Sequence, residues 1–374
     1  MPRHLTAVLV LGGLAACSSG STSPQSSPAL MEEVRIVPRR TGSGEFEFES
    51  YDAEQLFTRG TTLLKRGKCQ AAVRYYDHLT LNFVASHYVA PALYNAGLCL
   101  QQTKAYAEAA NRFKELLERF PGSPDAKHAN FHLVSLELQL HSYDAALGRA
   151  DDLLSKHILS TEERIEVMAA RARALYGLQR FTEAERQALG VLQYVESSPQ
   201  QSELAHMDAV AAANFLLAEV LQSRAALVSL QAKTRQEQHH ALERRTNLTL
   251  EAQREYLATI RRASPYWAVA AGYQIGRMYE AMWTELAAAS VPDDIAPEAH
   301  EAYRSELREL IRPLVQHAIR YWELTLRMVE RMGVRSEWTE RVRRDLERVR
   351  QRIMGLYLEP EAEASPGVAP GTLQ

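Results

Sequence analysis

His128 and His132 stand four residues apart in a helix-forming stretch, a spacing that puts two imidazoles on one face as a pair of metal ligands. No third ligand follows at a recognised spacing, so a packed or solvated pair is the favoured reading. His239 and His240 are adjacent, which sends their side chains to different faces of a helix. His300 precedes Glu301, but no second histidine stands where a zinc-binding helix needs one. There is no phosphate-cradling glycine loop and no nucleophile-bearing Gly-x-Ser-x-Gly turn. Asn247-Leu248-Thr249 matches a glycosylation sequon, a signal without meaning in most bacteria. Arginines at 341, 343, 344, 348, 350 and 352 are dense enough to meet lipid phosphates or an acidic partner. Glu340, Asp345 and Glu347 are interleaved with them, which suits pairs along a solvated helix. The residues point to binding rather than catalysis, with no cofactor and no metal.

A different chemistry is written near residue 17. Arg3 and His4 lead into an apolar run from Leu5, which closes on Leu14-Ala15-Ala16-Cys17. The run is too short to span a bilayer and reads as a targeting segment. Small residues ahead of that cysteine resemble the bacterial lipobox. The resemblance implies removal of residues before Cys17 and lipidation of Cys17 itself, with an ordinary secretory signal as the alternative. Ser18 follows, not the aspartate associated with inner-membrane retention, which implies the outer membrane of a Gram-negative cell. Triacylation supplies more than one chain, enough for stable anchoring. Cys69 and Cys99 would then sit in an oxidising compartment, as a disulfide or as two separately buried thiols.

Residues 18–50 are rich in Ser, Gly, Pro and Glu and poor in large apolar residues, which predicts a flexible linker. Phe46 and Phe48 alternate with Glu45, Glu47 and Glu49 in the manner of a short strand. The net charge of −3 sets up no global field toward nucleic acid or anionic lipid.

The elements that must position any site are written in an internal repeat. Gly67-Lys68-Cys69-Gln70-Ala71-Ala72 matches Lys104-Ala105-Tyr106-Ala107-Glu108-Ala109, then the stretches ending at Ala146 and Ala184. These alanines are spaced 37, 37 and 38 residues apart, the period of a helical solenoid. Gly97, Tyr106, Ala109, Phe113 and Pro121 resemble the tetratricopeptide repeat, with Gly97 where two helices approach too closely for a side chain. Gly60, Ala72 and Tyr76 repeat the pattern, while Val134 and Ala172 replace the later glycines. The resemblance implies an all-α, right-handed solenoid of helix pairs, its first helices lining a concave groove. Phe113 to Pro124 is similar to repeats of envelope lipoproteins in outer-membrane-assembly and Tol-Pal-linked groups.

Phe57, Tyr94 and Phe131 lie three residues before Gly60, Gly97 and Val134, and Thr61, Leu98 and Ser135 one residue after them. In the family both positions face the groove, and Gln101 and Leu138 extend the stripe by a turn. The stripe would grip an extended peptide or a helix, or else its rings pack between helices. The family's carboxylate-clamp lysine and asparagine are absent, since Phe57 and Thr61 stand in their places.

Residues 200–264 hold neither Gly nor Pro, and one helix of that length would run on the order of 100 Å, so two or three helices are expected. Their charged middle suggests a projecting hairpin or coiled coil. Ile275, Gly276 and Tyr279 fall at the repeat spacing of a diverged unit. A long helix is expected from Pro297 to Arg331, closed by Gly333, then one from Glu337 to Leu356. Residues 256–338 are similar to repeat proteins of gliding and surface-organelle machinery. The expected divisions are a signal peptide over 1–17, a linker over 18–50, a solenoid over 51–225, a helical region over 226–358 and a disordered tail over 359–374. The expected role is a scaffold binding envelope proteins at the periplasmic face of the outer membrane. A pilotin-like assembly factor or a cell-wall enzyme accessory is the alternative.

Overall fold

The computed structural model describes residues 33–40 and 46–358 of the chain. Cys17, its lipobox and the tail from 359 lie outside the described residues. The solenoid is built of helix pairs: α1 (Ala53–Lys65) with α2 (Cys69–Asn82), α3 (Val89–Gln102) with α4 (Tyr106–Arg119), α5 (Ala126–Gln139) with α6 (Tyr143–Lys156), and α7 (Thr161–Gly177) with α8 (Phe181–Glu196). The repeat alanines Ala72, Ala109, Ala146 and Ala184 are fully buried at the seam of each pair. A Cβ at Gly97 would stand 2.6 Å from the buried Phe113 ring, so the glycine lets α3 lie directly on that ring.

Each turn within a pair has the same geometry. Gly67, Lys104, His141 and Gln179 all have φ between 57° and 70°, and they follow the alanine period. The amide of the next residue bonds back to the last helical turn: Lys68 to Leu63, Ala105 to Leu100, Ser142 to Glu137 and Arg180 to Leu175, at 2.8–3.0 Å. This Schellman closure needs a left-handed residue, and only the first turn uses glycine. The exposed Gln179 carries a Cβ in that conformation, and its side chain supports nothing else. Gln179→Gly is expected to raise stability by about 0.5–1 kcal/mol, net of the greater freedom glycine has in the unfolded chain. Urea midpoints at constant slope check it, and a lower midpoint contradicts it.

Part of the 18–50 stretch expected as a flexible linker is instead ordered. β1 (Val34–Arg40) pairs antiparallel with β2 (Phe46–Asp52), Val34 opposite Asp52 and Arg40 opposite Phe46. The β-branched run of β1 and the alternating aromatics of β2 favour a pleated ladder that the average composition conceals. β2 runs straight into α1: the Asp52 carboxylate caps that helix from the Gln55 amide at 2.7 Å, and Tyr51 is buried beside Phe83 with its hydroxyl 3.0 Å from His78 Nε2.

The pairing continues past residue 200. A single turn α9 (Gln201–Leu204) precedes α10 (Asp208–Ala226), which packs along α11 (Arg235–Arg261). The expected projecting hairpin is therefore absent among the described residues, because α11 lies between α10 and α12 (Pro265–Ala287). The division expected at 225–226 falls inside the α10–α11 pair. α12 packs on α13 (His300–Met332), and Gly276 faces the fully buried Trp322 as Gly97 faces Phe113. Gly333 closes α13 with φ 65°, and α14 (Glu337–Leu358) covers the end. Each pair buries its apolar faces on its neighbours, and the core runs as three successive clusters, Tyr51 to Leu136, Val134 to Val220 and Phe215 to Val349. No described helix is long and apolar enough to cross a membrane.

Candidate binding groove

The first helices of successive pairs converge on one face. There α3, α5, α7, α10 and α12 enclose a hollow of about 390 Å³ lined by Gln101, Phe131, Ser135, Leu138, Glu166, Arg173, Asp208 and Trp267, among others. A second hollow of about 340 Å³ adjoins it, sharing Leu138, Arg173, Ala212 and Trp267 and adding Tyr143, Glu219, Tyr266 and Trp338. Of the eight stripe residues, the structure brings Gln101, Phe131, Ser135 and Leu138 together here. The other four lie nearer α1 and α3 and do not line it. Phe57 stacks on Tyr88 at 5.2 Å, the Thr61 hydroxyl is 3.2 Å from the Tyr76 hydroxyl, and Leu98 is half-buried against the core. Tyr94 sits edge-on to Phe113, with its hydroxyl 3.3 Å from His132 Nε2. The two expectations for the rings thus divide by repeat: Phe131 opens to the groove, while Phe57 and Tyr94 pack among other rings.

The polar groups of the groove are incompletely paired. Arg173 has Trp267 5.7 Å from its guanidinium carbon and Tyr143 and Tyr266 as polar neighbours, and among the described residues no carboxylate pairs with it. Burial pushes its pKa down. Glu166 is exposed at the lining of the hollow; its pKa is pushed up by partial desolvation and then by Glu163 and Glu162, with no cation beside it among the described residues. Gln101 Oε1 is buried without a hydrogen-bond partner. Sequence reading passed over Arg173 although the signal was present. It follows Thr61, Leu98 and Ser135 at intervals of 37, 37 and 38, the fourth member of the same repeat position. Trp267 carried no such signal, because α12 lies outside the regular period.

The wall of the second hollow holds a half-buried carboxyl. Glu219 Oε1 accepts from Tyr256 Oη at 2.9 Å and Gln274 Nε2 at 2.6 Å, and Oε2 from Tyr176 Oη at 3.5 Å. Burial raises its pKa, partly countered by these donors, and Tyr176 is pushed up to about 12 by burial and then by Glu219. A carboxyl raised above its ordinary 4.5 holds its proton more tightly folded than unfolded, so stability falls as pH rises from there through the raised value. Glu219→Gln keeps the acceptor and removes the titration. Thermal melts of both proteins between pH 4.5 and 8 are expected to show the wild type losing stability relative to the variant as pH rises. Parallel curves contradict this.

The other chemical candidates are accounted for. His132 stacks on Phe113 at 5.1 Å with its pKa lowered by burial, while His128 is exposed. This is the packed and solvated pair the sequence favoured. His239 and His240 do not diverge as expected: with Glu243, all exposed, they bring ligand atoms within 4.8 Å of one another. Cys69 and Cys99 are free buried thiols in one core. Cys69 Sγ donates to Gln102 Oε1 at 3.2 Å, and burial, with Cys69 adjacent, raises Cys99 to about 12. On α14, Arg343 pairs with Glu340 and Arg348 with Asp345 within the helix as expected, but Arg348 also reaches the buried Glu280 of α12 and Arg350 reaches Glu323 of α13, so part of the arginine run ties α14 to its neighbours instead of lying on a solvated face.

Among curated proteins none matches the chain. A tetratricopeptide repeat protein from Parabacteroides merdae is 16% identical, with 78% of this chain and 97% of that chain covered at a TM-score of 0.39. MamA from Desulfovibrio magneticus RS-1 is 14% identical over 54% of this chain and 95% of its own, at 0.36. Kinesin light chain TPR-like repeats from Podospora anserina are 14% identical over 54% and 96%, at 0.37. These superpositions are loose, and the fold rests on the chain's own helix pairs and glycine–ring contacts. The tetratricopeptide repeat family model matches residues 57–124 and 100–156. The part of the chain similar to the tetratricopeptide repeat family is thus residues 57–156, set within a longer helical solenoid.

Proposed function

We propose that this chain is a lipid-anchored scaffold at the periplasmic face of the outer membrane, holding an extended segment of an envelope protein in its groove. The observation that carries the reading is the hollow lined by Phe131 and Leu138 of α5 and Trp267 of α12, with Arg173 of α7 unpaired by any carboxylate among the described residues. A mostly apolar wall with a few convergent polar groups is the form of a peptide-binding site. Cys17 and the lipobox resemblance supply the anchor, so lipid sets location and the groove sets partner. The envelope-lipoprotein likeness of Phe113 to Pro124 supports a partner in an outer-membrane-assembly or constriction complex, and the likeness of residues 256–338 supports one in surface motility.

The test is affinity purification of the tagged full-length protein from native membranes, read by mass spectrometry beside Cys17→Ala and Phe131→Ala. The reading expects a small set of envelope proteins with the wild type, depleted in both variants. Phe131→Ala should melt close to wild type, since the half-buried ring opens to the groove. Tyr94→Ala, which empties a site against Phe113, is expected to cost about 3 kcal/mol. Equal capture by Phe131→Ala and the wild type would contradict the groove as the binding face.

A further inference from the structure

We propose that the segment held in the groove carries an acidic side chain that meets Arg173 and a basic one that meets Glu166, with an apolar residue between them against Phe131 and Trp267. This rests on the groove reading above and adds the chemistry of the occupant. Arg173 is the reason to expect an anion. A guanidinium cannot shed its proton, so one held in a groove wall among Tyr143, Tyr266 and Trp267 keeps its charge without a counter-ion. An incoming carboxylate would meet it with two parallel hydrogen bonds, the strongest pairing this side chain makes.

Glu166 is the complementary case. It lines the same hollow, has no cation beside it among the described residues, and partial desolvation together with two neighbouring carboxylates disfavours its charge. Asp208 of α10 also lines the hollow and adds to the demand for a cation. Glu166 and Arg173 are two turns apart on α7, hence on one face and separated by about 10 Å along the helix. Gln101 Oε1 is a third open position, an acceptor for an amide or ammonium of the occupant. Among the described residues, by contrast, the buried Glu137 is met by Arg149, Arg245 by Glu285, and Glu280 by Arg348. Opposite open charges across an apolar floor fix both the register and the direction of a bound segment.

The test uses the full-length protein in detergent and, as probe, a phage-displayed library of random dodecapeptides. Selection on the wild type should enrich peptides with an acidic and a basic residue a few positions apart. A synthetic copy of the leading peptide should bind Arg173→Gln and Glu166→Gln each about tenfold more weakly or worse, with unchanged melting temperatures. Arg173→Glu should regain binding when the peptide's acidic residue is changed to lysine, a reciprocity that a purely structural role for Arg173 does not produce. Peptides that need Phe131 but show no charge preference overturn the proposal and leave the groove reading standing. Peptides indifferent to Phe131, Arg173 and Glu166, or no enrichment at all, overturn both. A chain with Glu359, Glu361 and Glu363 changed to Gln that binds the peptide more tightly than wild type assigns the groove to the chain's own acidic tail, which also overturns it.

Discussion

Trp322→Ala is expected to destabilise the protein by about 3–5 kcal/mol, the range for removing a fully buried large side chain. Trp322 has no exposed surface, lies against Gly276, and donates from Nε1 to the Tyr273 carbonyl at 3.0 Å. The rigid α12 and α13 backbones flank the vacated space and cannot close it, so the cavity adds to the lost transfer energy. In a protein held together by roughly 5–15 kcal/mol that loss is large. It should also be local, because each pair of a solenoid contacts chiefly its neighbours. Amide exchange is therefore expected to accelerate in α12–α14 while α1–α4 keep their protection. A loss under about 1 kcal/mol, or uniform acceleration, would show that the α12–α13 seam does not bear on Trp322 as described.

Arg149→Ala is expected to cost a similar 3–5 kcal/mol at neutral pH, for an electrostatic reason. The Glu137 side chain is 3% exposed, and Arg149 grips both its oxygens at 3.0 and 3.1 Å while its third nitrogen reaches Asn130 Oδ1 at 2.8 Å. Removing the cation leaves a carboxylate in the α5–α6 seam with nothing to replace the water it gave up. Changing Glu137 to Leu in the same chain should recover most of the loss, because an apolar side chain needs no partner there. Urea melts of the two single variants and the double decide it. A double variant no better than Arg149→Ala would mean that the cost lay in lost packing and not in the stranded charge.

What the sequence disclosed and what it hid follow from where each signal is local. The alanine period and Gly97 were legible because one repeat's helices meet within a few dozen residues, so each contact leaves a fixed spacing. The left-handed turns at Lys104, His141 and Gln179 were not, since residues without glycine's freedom occupy them. That residues 200–264 divide into two or three helices was legible, but that α11 packs back between α10 and α12 was not, because α10 shows no amphipathic rhythm to say which face meets it. The Glu219 network joins α7, α10, α11 and α12 at separations of 37 to 55 residues, beyond any local pattern. The groove was half legible: the stripe named Phe131, Ser135, Leu138 and Gln101, but Arg173 needed the period carried one repeat further and Trp267 needed the fold.

The central claim is that the face of the first helices holds the partner. The most direct measurement places a photo-reactive amino acid at Ser135, exposed in the groove, and in a second chain at Lys114, exposed on the second helix α4, and irradiates native membranes. The account predicts one dominant cross-linked envelope protein from position 135, lost on adding Arg173→Gln, and none from position 114. The same adduct from both positions, or from 114 alone, would contradict it and move the binding surface to the second helices.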